Sequence, residues 1–205
     1  MLELYISSLI TFFVVIDPPG CAPIYAGLTA GASATQRRAM AIRAVVVAAL
    51  ILVVFALFGE PLLKGLGIEL ASFRIAGGIM LFLIALEMVF EKRTQRREDR
   101  AATLTEEETE DVSIFPMAMP MIAGPGSIAS VMLLMARSDG LERSAVVLAA
   151  LATILALTLA ALLAAGPLMR LLGHKIEAVI TRLLGVLLAA LAVQFVIDGV
   201  QAQLG

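Results

Sequence analysis

Charged residues punctuate the chain and leave long uncharged stretches between them: 4–16 continuing through 18–36, then 44–59, 75–86, 112–136, 144–169 and 183–197. A spanning helix takes ~20 apolar residues, so the pattern predicts six spans. The third and sixth are short between charges, and they reach full length if Arg74, Glu87, Arg182 and Asp198 sit at span ends with their heads in the interface. Backbone in lipid must be paired internally, and these leucine- and alanine-rich stretches lack the ten-residue alternation of an outer-membrane barrel. The expected fold is therefore an all-α polytopic membrane protein.

Composition makes a water-soluble reading untenable. Apolar residues are 60% of the 205-residue chain and charged ones 16%, against ~25% charged in soluble domains. A mean hydropathy of +0.99 cannot be hidden in a soluble core of this size. The whole chain, 1–205, reads as one transmembrane domain with no large extramembrane part. Fifteen basic residues nearly cancel 17 acidic ones, which leaves no basic face for nucleic acid. Cys21 is the only cysteine and His174 the only histidine, so no internal disulfide or Cys/His metal cluster can form. Thiol oxidoreductases and zinc proteases are excluded on that ground. Glu3 stands where a secretory signal has its basic region, and the start reads as an uncleaved first span.

Over six alternating spans, Arg37, Arg38, Arg43, Lys92, Arg93, Arg96, Arg97, Arg100, Arg170, Lys175 and Arg182 fall on one side, and only Lys64, Arg74, Arg137 and Arg143 on the other. The positive-inside rule puts the first group in the cytoplasm and both termini outside. The hydrophilic run 91–111 becomes a charged, solvated cytoplasmic connector.

Sliding the chain against itself gives a match at an offset of 106: Pro19-Gly20 falls on Pro125-Gly126, and Pro61-Leu62-Leu63-Lys64-Gly65-Leu66-Gly67 on Pro167-Leu168-Met169-Arg170-Leu171-Leu172-Gly173. With two residues inserted, Arg74 and Gly77 fall on Arg182 and Gly185. Each half, 1–90 and 112–205, then holds a broken span, an intact span, a Pro-Leu-x-basic-x-Leu-Gly loop and a third span. Three spans per half place the second copy upside down, the inverted-topology repeat common in secondary transporters.

The breaks carry the candidate chemistry. Asp17-Pro18-Pro19-Gly20-Cys21-Ala22-Pro23 interrupts the first span, and Ala123-Gly124-Pro125-Gly126-Ser127, preceded by Pro116 and Pro120, interrupts the fourth. Prolines remove donors and glycines relax the backbone. At 1.5 Å per residue both breaks lie ~15–20 Å along their spans, near the bilayer middle, where unwound chain must be buried in protein or line a wet cavity. Free N–H groups beginning near Gly20 and Gly126 suit a carboxylate. Free carbonyls near Val15-Ile16 and Ile122-Ala123 suit an ammonium group or cation. A small zwitterion satisfies both. Asp17 caps the second half-helix with Pro18 at its first position, and as a midplane carboxylate it also suits contact with an ammonium group or proton exchange. Ser127 and Thr29 offer hydroxyls, although a hydroxyl on a membrane helix commonly bonds its own backbone. Gln194, deep in the sixth span, is read as an interhelical hydrogen-bond former or a cavity-lining residue.

Ile16-Asp17-Pro18-Pro19-Gly20 with Pro23 and Leu28-Thr29, Phe73-Arg74-Ile75-Ala76-Gly77-Gly78 running to Ala85-Leu86-Glu87, Phe115-Pro116 with Pro120 through Ala123-Gly124-Pro125-Gly126-Ser127-Ile128-Ala129, and Gln194-Phe195 are spread over nearly the whole chain. In these segments the sequence resembles MarC-type integral membrane proteins, also described as the neutral amino acid transporter family. The resemblance implies a six-span inner-membrane protein that moves small neutral amino acids such as glycine or alanine, with the discontinuous first and fourth helices forming the site. Cys21 departs from the family's frequent asparagine, which bears on any polar contact from that position.

The leading expectation is a secondary transporter, since no nucleotide-binding loop is present to use ATP. No cofactor is expected, and coupling to protons or sodium is left open. A channel or facilitator for a small solute and a non-transporting sensor or assembly factor are the alternatives. An enzyme is not expected: His-Glu-x-x-His and Gly-x-Ser-x-Gly are absent, and one midplane carboxylate is too few for an aspartyl protease. Small-residue helix faces allow packing within the chain or in a homo-oligomer.

Overall fold

The computed structural model describes residues 1–90, 111–138 and 140–204, the side chains of 167–175, 177 and 178 excepted. The connector expected at 91–111 lies, apart from Asp111, outside the described residues. All regular structure among them is helical: α1 (Leu2–Ile16), α2 (Pro18–Leu28), α3 (Ala34–Gly65), α4 (Leu70–Val89), a wide-turned proline segment (Ser113–Ile122), α5 (Pro125–Ala136), α6 (Leu141–Leu163) and α7 (Ala165–Leu204). Five helical stretches are long and apolar enough to cross a membrane. They become six if the proline segment and α5, bent by 52° at their junction, count as one span.

Several boundaries differ from the charge-based reading. The uncharged stretch 18–36 ends early because Ser33 starts α3 with a capping box: its hydroxyl accepts the Gln36 N–H at 3.3 Å, and Gln36 accepts the Ser33 N–H at 2.9 Å. The Pro-Leu-x-basic-x-Leu-Gly segments, expected as loops, are largely helical. Pro61 lies within α3, which turns only at Leu66 and Gly67 (φ 70°), and 167–173 lies within α7. One missing N–H is tolerated in such apolar helices. The fifth span accordingly stops at Leu163 rather than running to 169.

Helix α4 packs along α7 over the most extensive contact in the molecule; α1 lies on α6, α2 on α7 and α6, α3 on α5, α6 and the proline segment, and α4 also on α5. The α4–α7 seam is antiparallel and built on glycines. A Cβ at Gly78 would stand 2.8 Å from the Ala192 carbonyl, one at Gly185 3.1 Å from the Ala85 carbonyl, and one at Gly199 3.0 Å from the Ala71 carbonyl. Membrane helices gain little from hydrophobic exclusion and depend on such close packing. Gly78→Leu is expected to lower the unfolding midpoint in detergent, at a cost of about 1–3 kcal/mol from overpacking. Gly27→Ala, which meets nothing within 4 Å, is expected to leave it unchanged or raise it.

Two buried clusters result. The larger joins Phe12, Ile16 and the start of α2 to α3, the proline segment and α6. The smaller joins Val14 and Val15 to Leu81 and Ala85 of α4, Leu133 of α5 and Leu188 of α7. The end of α1 thus faces both, and the first chain break lies where they meet.

Candidate functional site

At the first break α1 and α2 are separated by Asp17 alone, in the left-handed conformation (φ 59°, ψ 65°) that aspartate tolerates better than most residues. Pro18 and Pro19 have no N–H, so the first donor of α2 is Gly20, and Asp17 Oδ1 accepts it at 3.1 Å. Gly20 is required there: a Cβ would stand 2.2 Å from Asp17 Oδ2. The Ile16 carbonyl, expected to be free, accepts the Cys21 thiol at 3.4 Å, so the cysteine occupies one acceptor of the break. Asp17 is 1% exposed, and among the described residues it is the only buried Asp, Glu, Lys or Arg.

The second break is built differently. Phe115 and Met119, each preceding a proline, are extended (ψ 127° and 125°), as proline requires of its predecessor. Wide turns surround them, Met117 N–H bonding Val112 O at 3.2 Å and Ala123 N–H bonding Ala118 O at 2.9 Å. Gly124 passes so close to the chain that a Cβ would meet the Pro120 carbonyl at 2.4 Å. Pro125 opens α5 and no side chain caps it. The N–H groups of Gly126 and Ser127 precede the first turn's bond from Ile128 N–H to Gly124 O, 3.0 Å, and so belong to the donors a helix start leaves over.

The two breaks adjoin. A Cβ at Gly126 would stand 2.7 Å from Ile84 Cδ1 of α4 and 3.3 Å from Val15 Cγ1 in the last turn of α1. Pro18, Gly20, Cys21, Ala123, Gly124, Gly126 and Ser127 are buried, Pro19 is half-buried and Pro125 exposed. Two other residues singled out in the sequence lie elsewhere. Thr29 closes the far end of α2, ~16 Å from the break at helical rise, where its hydroxyl donates to the Tyr25 carbonyl at 2.7 Å. Gln194 is exposed on α7 and donates to Asp198 at 2.7 Å, within its own helix rather than between helices.

Features missed by sequence reasoning lie at the two ends of α3. A cavity of about 530 Å³ opens at its C-terminal end, among Ala56, Glu60 and Lys64, Met132 and Met135 of α5, and Ser144 of α6. Another of about 380 Å³ opens at its N-terminal end, among Tyr25 of α2 and Thr29 just beyond it, Arg37 and Arg38, and Leu162. There the Tyr25 hydroxyl donates to the Arg37 carbonyl. Neither cavity is lined by a residue of the two breaks. Arg137, at the end of α5, pairs with Asp198 of α7 and stacks 4.6 Å from the Phe195 ring centroid. The sequence shows these residues as separate charges 61 positions apart and carries no signal that pairs them.

Long apolar helices on a glycine seam, with a chain break inside two of the crossings, define an integral multi-pass membrane protein. Residues 2–204 match the profile of the MarC family integral membrane proteins. The chain is similar to a UPF0056 membrane protein of Methanocaldococcus jannaschii, 35% identical over 99% of this chain and 98% of that one. It is 34% identical to the UPF0056 membrane protein YvbG of Bacillus subtilis over 98% of this chain and 96% of that one. To the UPF0056 inner membrane protein YhgN of Escherichia coli it is 32% identical over 96% of this chain and 95% of that one. The chain belongs to the MarC family. No solved structure matches it.

Proposed function

We propose that this protein is a secondary transporter of small neutral amino acids of the glycine or alanine kind, working by alternating access in a cytoplasmic membrane with both termini outside. The observation that carries the reading is the meeting of the two breaks: the uncapped start of α5 rests at Gly126 on Val15 in the last turn of α1, two residues before Asp17, the one buried carboxylate among the described residues. N–H donors of one break and the carboxylate of the other lie on adjoining chain segments, which suits the two opposite ends of a zwitterion. Ser8 of α1, Ser113 of the proline segment and Ser130 of α5 bury hydroxyls without a protein partner, polar groups of the kind a bound solute or water satisfies.

The neighbour relations support an inverted repeat. Exchanging the halves sends α1 to the proline segment, α2 to α5, α3 to α6 and α4 to α7. Under that exchange α1 on α6 becomes the proline segment on α3, α2 on α7 becomes α5 on α4, and α2 on α6 becomes α5 on α3, all of which occur. The pairs α3–α6 and α4–α7 exchange with themselves. The cavities correspond too: Ala26, Thr29 and Arg38 at one end of α3 fall, at the offset of 106, on Met132, Met135 and Ser144 at the other. Two matched cavities at opposite ends, with closed breaks, fit a carrier that opens to each side in turn.

The test is counterflow. Purified protein in liposomes preloaded with unlabelled alanine is expected to accumulate labelled glycine or alanine transiently, and imposed proton and sodium gradients would identify a coupling ion. Equilibration without overshoot would replace the carrier with a channel or facilitator. No flux at all in folded protein would remove the amino acid assignment.

A further inference from the structure

The two cavities correspond across the repeat, but the contacts beside them do not, and the inequality falls on one helix end. Helix α5 begins at the bent junction and runs 12 residues to Ala136, ~18 Å of lever at helical rise. Its middle rests on glycines: a Cβ at Gly59 would stand 2.7 Å from Met132 Cγ, and one at Gly77 3.0 Å from Leu133 Cδ1. Smooth seats of this kind let packed helices slide. Its far end is tied. Arg137 pairs with Asp198, the guanidinium lies over Phe195, and Gln194 holds the other Asp198 oxygen at 2.7 Å. Both charged side chains are about 30% exposed (32% and 27%), sheltered enough for the pair to outweigh a loose surface bridge. At the offsets that align the halves, 106 for the first two helices and 108 for the third, Arg137 falls on Gly31 and Asp198 on Phe90. Gly31 and Phe90 cannot form such a pair, and the far end of α2 is held instead by the neutral hydrogen bond from the Tyr25 hydroxyl to the Arg37 carbonyl.

We propose that Arg137 and Asp198 form a latch that holds the junction of the two breaks closed toward the membrane face on which Arg137 lies, and that this one-sided latch biases the resting protein against opening there. The inference rests on the alternating-access reading above. Arg137 and Asp198 are positioning residues in it: they touch no substrate and act by holding the end of α5 against α7.

The protein carries its own reporter, since its single cysteine is buried in the first turn of α2 at the break. A membrane-impermeant cationic methanethiosulfonate is applied to full-length protein in right-side-out or inverted vesicles, with Cys21→Ala as the labelling blank. Asp198→Asn is expected to speed Cys21 labelling from the Arg137 face about tenfold, the population shift that follows loss of a charge-assisted bond, with no rise from the other face. The charge exchange Arg137→Asp with Asp198→Arg is expected to return the rate toward wild type. Should Asp198→Asn not fold, Arg137→Gln serves the same purpose. Unchanged labelling, an equal rise from both faces, or a charge exchange as fast as the single variant would each overturn the latch. Labelling needs no substrate, so failure of the amino acid assignment in counterflow leaves this test standing.

Discussion

Asp17→Asn is expected to insert and fold as the wild type does, yet to lose counterflow roughly 10- to 100-fold, the worth of a charge-assisted contact. The substitution separates two roles that the structure superimposes on one side chain. As a cap, Asp17 accepts the Gly20 N–H, and asparagine caps helices equally well and tolerates the left-handed backbone. As a carboxylate, Asp17 can pair with an ammonium group or exchange a proton, which asparagine cannot do. Asp17→Ala removes both roles and adds the left-handed strain, at ~1–2 kcal/mol each, so it is expected to lower the unfolding midpoint as well as the flux. Thermal unfolding in detergent and counterflow, measured on both variants, give the comparison. Normal flux with normal pH dependence in Asp17→Asn would reduce the residue to a cap.

The parts of this molecule legible in its sequence are those written in local chemistry. Charges at span ends, proline before glycine, and aspartate before two prolines each act through their own backbone, and the breaks at Asp17 and Gly124 fall where those residues place them. Boundaries set by capping were less legible: Ser33 and Gln36 lie inside an uncharged stretch, and hydropathy does not distinguish a capping serine from a spanning one. Contacts between helices were not legible. That Gly78 rather than Gly27 is pressed against a neighbour, or that Arg137 finds Asp198, depends on helix rotation and pairing, which many sequences of equal hydropathy would satisfy in other ways. For Gln194 the residue type was informative and the partner was not: the amide bonds Asp198 one turn along its own helix. The cavities at the ends of α3 are formed by several helices together, and no local pattern announces them.

Gly126→Ala is expected to abolish most counterflow, by about 100-fold, the loss that ~1 Å of misplacement at a working site can cause. The added methyl would stand 2.7 Å from Ile84 Cδ1 and 3.3 Å from Val15 Cγ1, so either Ile84 turns aside and Val15 gives by a few tenths of an ångström, or α5 shifts at the point where the breaks meet; the expected loss of flux follows from that shift. Overpacking alone explains a stability loss of about 1–3 kcal/mol, and a second substitution distinguishes that from an effect on the site. Ile84→Val removes the closest atom and leaves the rest of the side chain in place. The double variant is therefore expected to recover flux as well as midpoint, because the start of α5 can return against Val15. Gly31→Ala, with nothing within 4 Å, is the neutral comparison. Recovery of the midpoint without flux would mean that the glycine's open surface is itself needed by the solute. Wild-type flux in Gly126→Ala would place the solute's path away from the junction, and the zwitterion site with it.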